Sequence, residues 1–184
     1  ISTNTVGALS FGTTSEEPTT RIESPVNFSD IESISQAFEK ALSDEQLPPE
    51  VLYLLEQGTS LGGAQPKCPV IYQDEKWIAK FENSKTLIKF PKIEHATMQM
   101  AAKAGIQVPE TQIVEVGGKC IYLIKRFDRS GRTRIPFLSG HAISNLDIEE
   151  LEKGAYTGLA GAMRKFVNNV NHDLHELFRR MVFN

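Results

Sequence analysis

The sequence predicts an α+β fold in which an antiparallel sheet takes in one helix and is flanked by others. Three observations lead there. Two pairs of short apolar-rich runs are each split by a tight turn, Asp74-Glu75 in one pair and Gly117-Gly118 in the other. Between the pairs lies a stretch with helical rather than alternating spacing. Beyond a loop at Asp128 to Pro136, the remaining residues are helical in tendency.

In chain order, Thr5 to Phe11 read as a short strand, and the Ser/Thr/Glu/Pro-rich stretch that follows, to about Pro25, reads as a loop. Ser29 and Glu32 have capping-box spacing, and Ile31, Ile34, Phe38, Ala41 and Leu42 recur at helical intervals, which predicts a helix over about 30–43. A second helix is expected from Pro49, a first-turn proline, to about residue 56, with Gly58 ending it. Strands follow at Pro69 to Gln73 and Lys76 to Phe81. In the inserted helix Ile93, Ala96, Thr97, Met100, Ala101 and Ala104 share one face, and Gly105 stops it. The second hairpin joins Gln112 to Val116 with Lys119 to Lys125. Asp173 and Glu176 are expected to cap a final helix whose stripe is Leu174, Leu177, Phe178, Met181 and Val182.

The composition bounds function only loosely. Of 184 residues, 40% are hydrophobic, enough for one sizeable core or two small ones, and the net charge of -3 gives no general pull toward nucleic acid. Cys68 and Cys120 form neither a CxxC pair nor a cluster with metal-ligand spacing, so reduced structural thiols in a cytoplasmic protein are expected. No apolar run approaches the roughly 20 residues that cross a bilayer. His172 and His175 lack both an HExxH frame and a third ligand, so no metal site is expected.

Three segments carry candidate chemistry. Thr59 to Lys67 is a loop containing Gly62, Gly63, Ala64 and Gln65; its small residues would let backbone N–H groups approach phosphate oxygens, and Lys67 adds a positive charge. The same glycines would equally serve a plain turn, and the loop lacks the GxxxxGK[ST] frame. Lys80 stands between apolar neighbours in Trp77-Ile78-Ala79-Lys80-Phe81, and Glu94, near the start of the next helix, is its candidate partner, since an ammonium ion in a cleft needs a carboxylate to stay charged and oriented. Lys89 competes for the same role, and a solvated lysine with a dipole-favoured glutamate is the plainer alternative. The third segment, Arg126-Phe127-Asp128-Arg129, follows directly on the strand ending at Lys125 and reads either as a connection between lobes or as a salt-bridged strand end.

Taken together, Gly62 to Lys67, Trp77 to Phe81, Ile93-Glu94, Gly105 to Glu110 and Arg126 to Arg129 occur in an order and spacing that resembles the HipA-like serine/threonine protein kinases, the toxin kinases of toxin–antitoxin pairs. The resemblance implies an end of a preceding subdomain and linker at 1–25, a kinase-like small lobe at 26–128 and the start of a helical large lobe at 129–184. It implies ATP and Mg²⁺ as cofactors and transfer of the γ-phosphoryl group to a protein serine, with an aminoacyl-tRNA synthetase as substrate and a HipB-like DNA-binding antitoxin as partner. Gly62, Gly63, Ala64, Gln65, Lys67 and Lys80 would contact phosphates, and Glu94 would hold Lys80. Lys125, Arg126 and Phe127 would meet adenine, with Asp128 near the ribose. Ser60 would be the autophosphorylated serine, self-inhibitory because the added charge of about -1.5 to -2 repels the phosphates that the loop should receive. The family's catalytic Asp and metal-binding Asp are expected after Asn184, so no catalytic residue or metal ligand is assigned here and the chain is expected to be inactive alone. A regulatory module that binds nucleotide or antitoxin without catalysis is the competing reading. Nucleic-acid binding through Arg179-Arg180 and Arg132/Arg134 is the third.

Overall fold

The computed structural model describes residues 6–9, 14, 16, 26–41, 49, 52, 65–83, 85–131, 133–145 and 155–184. A 3₁₀ turn at Phe28–Asp30 leads into helix α1, Ile31–Ala41. The sheet strands are β1, Lys67–Tyr72, β2, Glu75–Phe81, β3, Thr111–Val116, and β4, Lys119–Lys125, with helix α2, Phe90–Lys103, between β2 and β3. A short two-stranded ribbon follows, β5, Arg129–Ser130, with β6, Thr133–Arg134. Then come α3, Gly140–Ile143, α4, Tyr156–Phe166, and α5, Val170–Phe183. The fold is α+β, with an antiparallel four-stranded sheet in the order β1-β2-β4-β3. The chain divides into two compact units: Ile1–Met98 with Pro109–Pro136, and Gln99–Val108 with Phe137–Asn184.

In the first unit, the β-branched and aromatic residues of β1, β2 and β4 alternate across the sheet, as a half-buried sheet requires. Cys68, Val70, Trp77, Ala79, Phe81, Ile121 and Leu123 fall on one face, where Ile31, Ile34 and Phe38 of α1 cover them. The Phe38 and Phe81 rings lie 4.5 Å apart, and Tyr72 meets Trp77 edge to face at 5.7 Å. The first hairpin turns at Gln73-Asp74, both at positive φ (51° and 60°), one residue earlier than the spacing suggested. That pair of left-handed residues matches the right-handed twist of the flanking strands. Gly117 and Gly118, at φ 57° and 75°, make the second turn where expected.

Four local expectations change. Val6 to Leu9 form a turn rather than a strand, with Gly7 at φ 64°. Ser29 does not close a capping box; its Oγ lies 3.3 Å from Asp30 Oδ1, while Glu32 Oε1 accepts from Gln36. On α2 the stripe expected in the core is largely solvent-exposed at Ile93, Ala96, Thr97 and Met100, and Pro91 and Ala101 are the buried apolar residues. The helix therefore packs on the sheet through a mixed face that includes Glu94 and His95, which apolar spacing alone cannot detect. Finally, α5 is capped by Asn169, whose Oδ1 accepts from the His172 N–H, and not by Asp173 and Glu176. Of the helix expected over 49–56, only Pro49 and Leu52 are among the described residues, and both are helical.

In the second unit, Ser139 caps α3 through the Ala142 N–H. Leu174, Leu177, Phe178 and Met181 of α5 face Tyr156 and Ala160 of α4 across an open apolar groove of about 260 Å³. Glu176 accepts the Gln107 N–H at 2.8 Å and pairs with Arg180 at 2.9 Å, and both interactions hold its carboxyl below the usual range. No helix among the described residues is long and apolar enough to cross a membrane.

Candidate functional site

Because β2 side chains alternate, Lys76, Ile78 and Lys80 occupy the face opposite the α1 core. Lys67 is directly across from Lys80 in the β1–β2 register, so both lysines rise from that face. One turn into α2, Glu94 comes over the same place, and Lys80 Nζ bonds Glu94 Oε1. The Lys80 ammonium also lies 5.5 Å from the centroid of the buried Tyr122 ring, which carries partial negative charge on its face. Beside it, His95 Nδ1 is 2.9 Å from Thr111 Oγ1, tying α2 to β3.

The electrostatics follow from this crowding. Burial lowers the pKa of Lys67, the neighbouring Lys80 charge lowers it further, and Glu94 opposes both. The Tyr122 phenol is pushed well up by burial and then by the Glu94 charge, so it stays neutral. Two ammonium groups thus lie near one carboxylate on a part-buried surface.

Lys89, the competing lysine, points elsewhere. Its Nζ is 2.9 Å from Glu82 Oε1 and half-exposed, and Glu82 also accepts the Cys120 N–H at 3.1 Å. Ser60, Gly62, Gly63 and Ala64 lie outside the described residues. Gln65, at the end of that loop, donates from Nε2 to the Phe81 carbonyl at 3.4 Å, and the Phe81 N–H donates to the Pro66 carbonyl at 3.1 Å. These bonds set the end of the loop against β2, one residue from Lys80.

The segment after β4 has a different character. Lys125 Nζ pairs with Glu75 and lies 3.7 Å from Glu110. Phe127 exposes 59% of its surface. Arg126 and Asp128, by contrast, are both 3% exposed. Arg126 donates to both Asp128 oxygens at 2.9 and 2.7 Å, the Gly7 N–H donates to Oδ2 at 2.8 Å, and Arg129 donates to Oδ2 at 2.7 Å. Arg129 and Arg134 both reach the Gly7 carbonyl, at 3.0 and 2.8 Å. Burial alone would raise the Asp128 pKa, but the bonds from Arg126 and Gly7 and the charges of Arg126 and Arg129 hold it below the usual carboxylate range. Asp128, expected near a ribose, is turned inward here as the centre of an ion network.

Neither that network's connection to Gly7 nor the place of Tyr122 beneath Lys80 has a local signal in the sequence. Period-two alternation from Lys80 would have found Lys76 on the same face. The approach of Gly7 comes from 121 positions away in the chain, beyond any local signal.

The family model of the HipA-like C-terminal domain matches residues 59–184, and the chain belongs to that family. A Haemophilus influenzae protein named "Putative kinase" is 32% identical over 87 residues, covering 40% of this chain and 25% of that protein. The chain spans about a quarter of the length of this relative, and the family is kinase-related.

Proposed function

We propose that the chain is the nucleotide-binding part of an ATP-dependent serine/threonine protein kinase of the HipA toxin type. The observation that carries the proposal is the Lys80–Glu94 pair on a sheet face that Lys67 shares. In phosphoryl transfer the protein supplies mainly position and charge, and a lysine held by a helix carboxylate is the group that clamps the nucleotide's phosphates. Here Glu94 orients Lys80, and Lys67, whose charge is disfavoured by burial and then by the Lys80 charge, lies on the same face, where a phosphate would favour its charged form. ATP would supply the transferable phosphoryl group and Mg²⁺ its charge neutralisation; no residue of this chain is assigned to the metal.

By the same reading, Gln65 and the glycines before it in the chain would contact the phosphates, and the segment from Lys125 to Phe127 would meet the base, with the Lys125 and Arg126 N–H groups already given to the Glu110 and Lys76 carbonyls. Asp128 serves the scaffold that carries this segment. Ser60 is the autophosphorylated serine, the phosphorylated substrate is a cytoplasmic protein such as an aminoacyl-tRNA synthetase, and the partner is a HipB-like DNA-binding antitoxin.

The test is ATP affinity by calorimetry together with phosphoryl transfer, in the complete protein. Losing one charge-assisted bond of about 1.5–3 kcal/mol should weaken ATP roughly 10- to 100-fold in Lys80→Ala, with the circular dichroism spectrum unchanged. Lys89→Ala should bind as the parent does. Unchanged affinity in Lys80→Ala, or loss in Lys89→Ala instead, removes the basis of this reading.

A further inference from the structure

Within the first unit, helix α2 meets the sheet largely through polar groups. Over its first two turns the inward residues recur at helical spacing as Pro91, Glu94, His95 and Met98, while Ile93, Ala96 and Thr97 are exposed. Of the four only Pro91 is fully buried, so apolar packing does little to fix the helix. Glu94 reaches Lys80 on β2, and His95 Nδ1 lies 2.9 Å from Thr111 Oγ1 on β3. Lys92 also pairs with Glu115, at 3.3 Å, but both side chains are at least half-exposed, and pairs of that kind hold little.

The two part-buried contacts run to different strands. Strand order puts β4 between β2 and β3, so Lys80 and Thr111 belong to strands about 10 Å apart. Tyr122 of β4 lies between them: it is opposite Lys80 in the register, and its ring centroid is 5.5 Å from the Lys80 ammonium and 6.3 Å from the His95 ring. Consecutive helical residues diverge by about 100°, so Glu94 and His95 leave α2 toward opposite sides of Tyr122. A helix held through one side chain can still turn about its own axis. Side chains end about 5–6 Å from that axis, so a turn of roughly 20° carries a carboxylate about 2 Å, enough to break a hydrogen bond. The His95–Thr111 bond, on the far strand, opposes that turn. Thr111 is buried, so water competes little for its hydroxyl, and because a hydroxyl both donates and accepts, the bond persists in either protonation state of the imidazole.

We infer that His95 and Thr111 are positioning residues for the phosphate clamp: their bond sets the rotation of α2 and so holds Glu94 where it orients Lys80. The inference deepens the nucleotide-binding reading above and rests on it. Neither residue is assigned a contact with the nucleotide; both act through Glu94.

The test is ATP affinity by calorimetry in the complete protein, with Thr111→Val and His95→Phe each made alone and combined with Lys80→Ala. Thr111→Val keeps a β-branched shape on its strand and removes the hydroxyl, so the fold is retained. His95→Phe keeps a ring against Tyr122 and removes the nitrogen. Each should weaken ATP about 2- to 10-fold, the contribution of one neutral hydrogen bond, and Thr111→Ser should restore most of that loss. Combined with Lys80→Ala, where Glu94 has no lysine left to orient, neither should weaken ATP further. A bond that served stability alone would lower Tm and leave affinity unchanged; that result would overturn the inference, as would an equal loss of affinity with and without Lys80. If Lys80→Ala itself binds ATP as the parent does, the nucleotide reading falls and this inference with it. A loss in Lys80→Ala with none in Thr111→Val and His95→Phe removes this inference alone.

Discussion

Replacing Asp128 separates a scaffold role from a ligand role. In Asp128→Ala the guanidinium groups of Arg126 and Arg129 stay buried, their side chains only 1% and 3% exposed, with their shared carboxylate gone. Removing one partner of a buried pair leaves an uncompensated charge and costs about 3–5 kcal/mol. At about 2–4 °C per kcal/mol for a chain of this size, Tm should fall by roughly 6–20 °C. Asp128→Asn keeps an acceptor and loses the charge, so it should fall less. Acid provides an internal control. The folded-state pKa of Asp128 is depressed, so its stabilisation is present above the unfolded value of about 3.9 and is lost as pH falls through the folded one. The stability difference between parent and Asp128→Asn should therefore shrink as the pH drops below about 4. The assay is thermal and urea unfolding followed by circular dichroism between neutral and acid pH. A loss under about 1 kcal/mol in Asp128→Ala, a value usual for exposed pairs, would refute the argument. If that small loss came with weaker ATP binding, Asp128 would be a nucleotide ligand instead.

Further outcomes are expected. Glu94→Gln should weaken ATP less than Lys80→Ala does, because the amide still accepts a bond from Lys80; calorimetry on both variants ranks them. Phe38→Ala removes a ring that packs 4.5 Å from Phe81 in the core and should cost about 3–5 kcal/mol in urea unfolding. Gly118→Val places a branched side chain at φ 75° and should cost about 1–2 kcal/mol although the space around it is open. Cys68, fully buried with its thiol pushed up to about 12, should resist alkylation in the native protein at pH near 8 and react once urea unfolds it, which mass spectrometry can follow.

The hairpins and α1 were legible because their signals are local: turn residues between apolar runs, and Ile31, Ile34 and Phe38 at helical spacing. The α2 stripe misled because Glu94 and His95 belong to the packed face, where ion pairing and a hydrogen bond to Thr111 take the place of apolar burial. The caps misled for a related reason. Asn169 and Asp173 both lie near the start of α5 and either is a good cap by type; only the chain path decides between them. At the site, the pairing of Lys80 with Glu94 could be anticipated from motif order, whereas the pairing of Lys89 with Glu82 could not. The Asp128 network was out of reach because half of it comes from Gly7 and Leu9, in a segment that reads as a strand.

The capture of Gly7 by Asp128 has a temporal side. The two residues are 121 positions apart, so a ribosome adding about 5–20 residues per second needs roughly 6–24 s to make the second after the first. For that interval the Gly7 backbone is without its Asp128 and Arg129 contacts, while the β1–β2 hairpin can already pair. The closing bonds to the Gly7 backbone can form only after Arg126, Asp128 and Arg129 have emerged, directly behind β4, the strand that joins the two hairpins. Weakening these contacts should then leave the sheet formed and its last latch open.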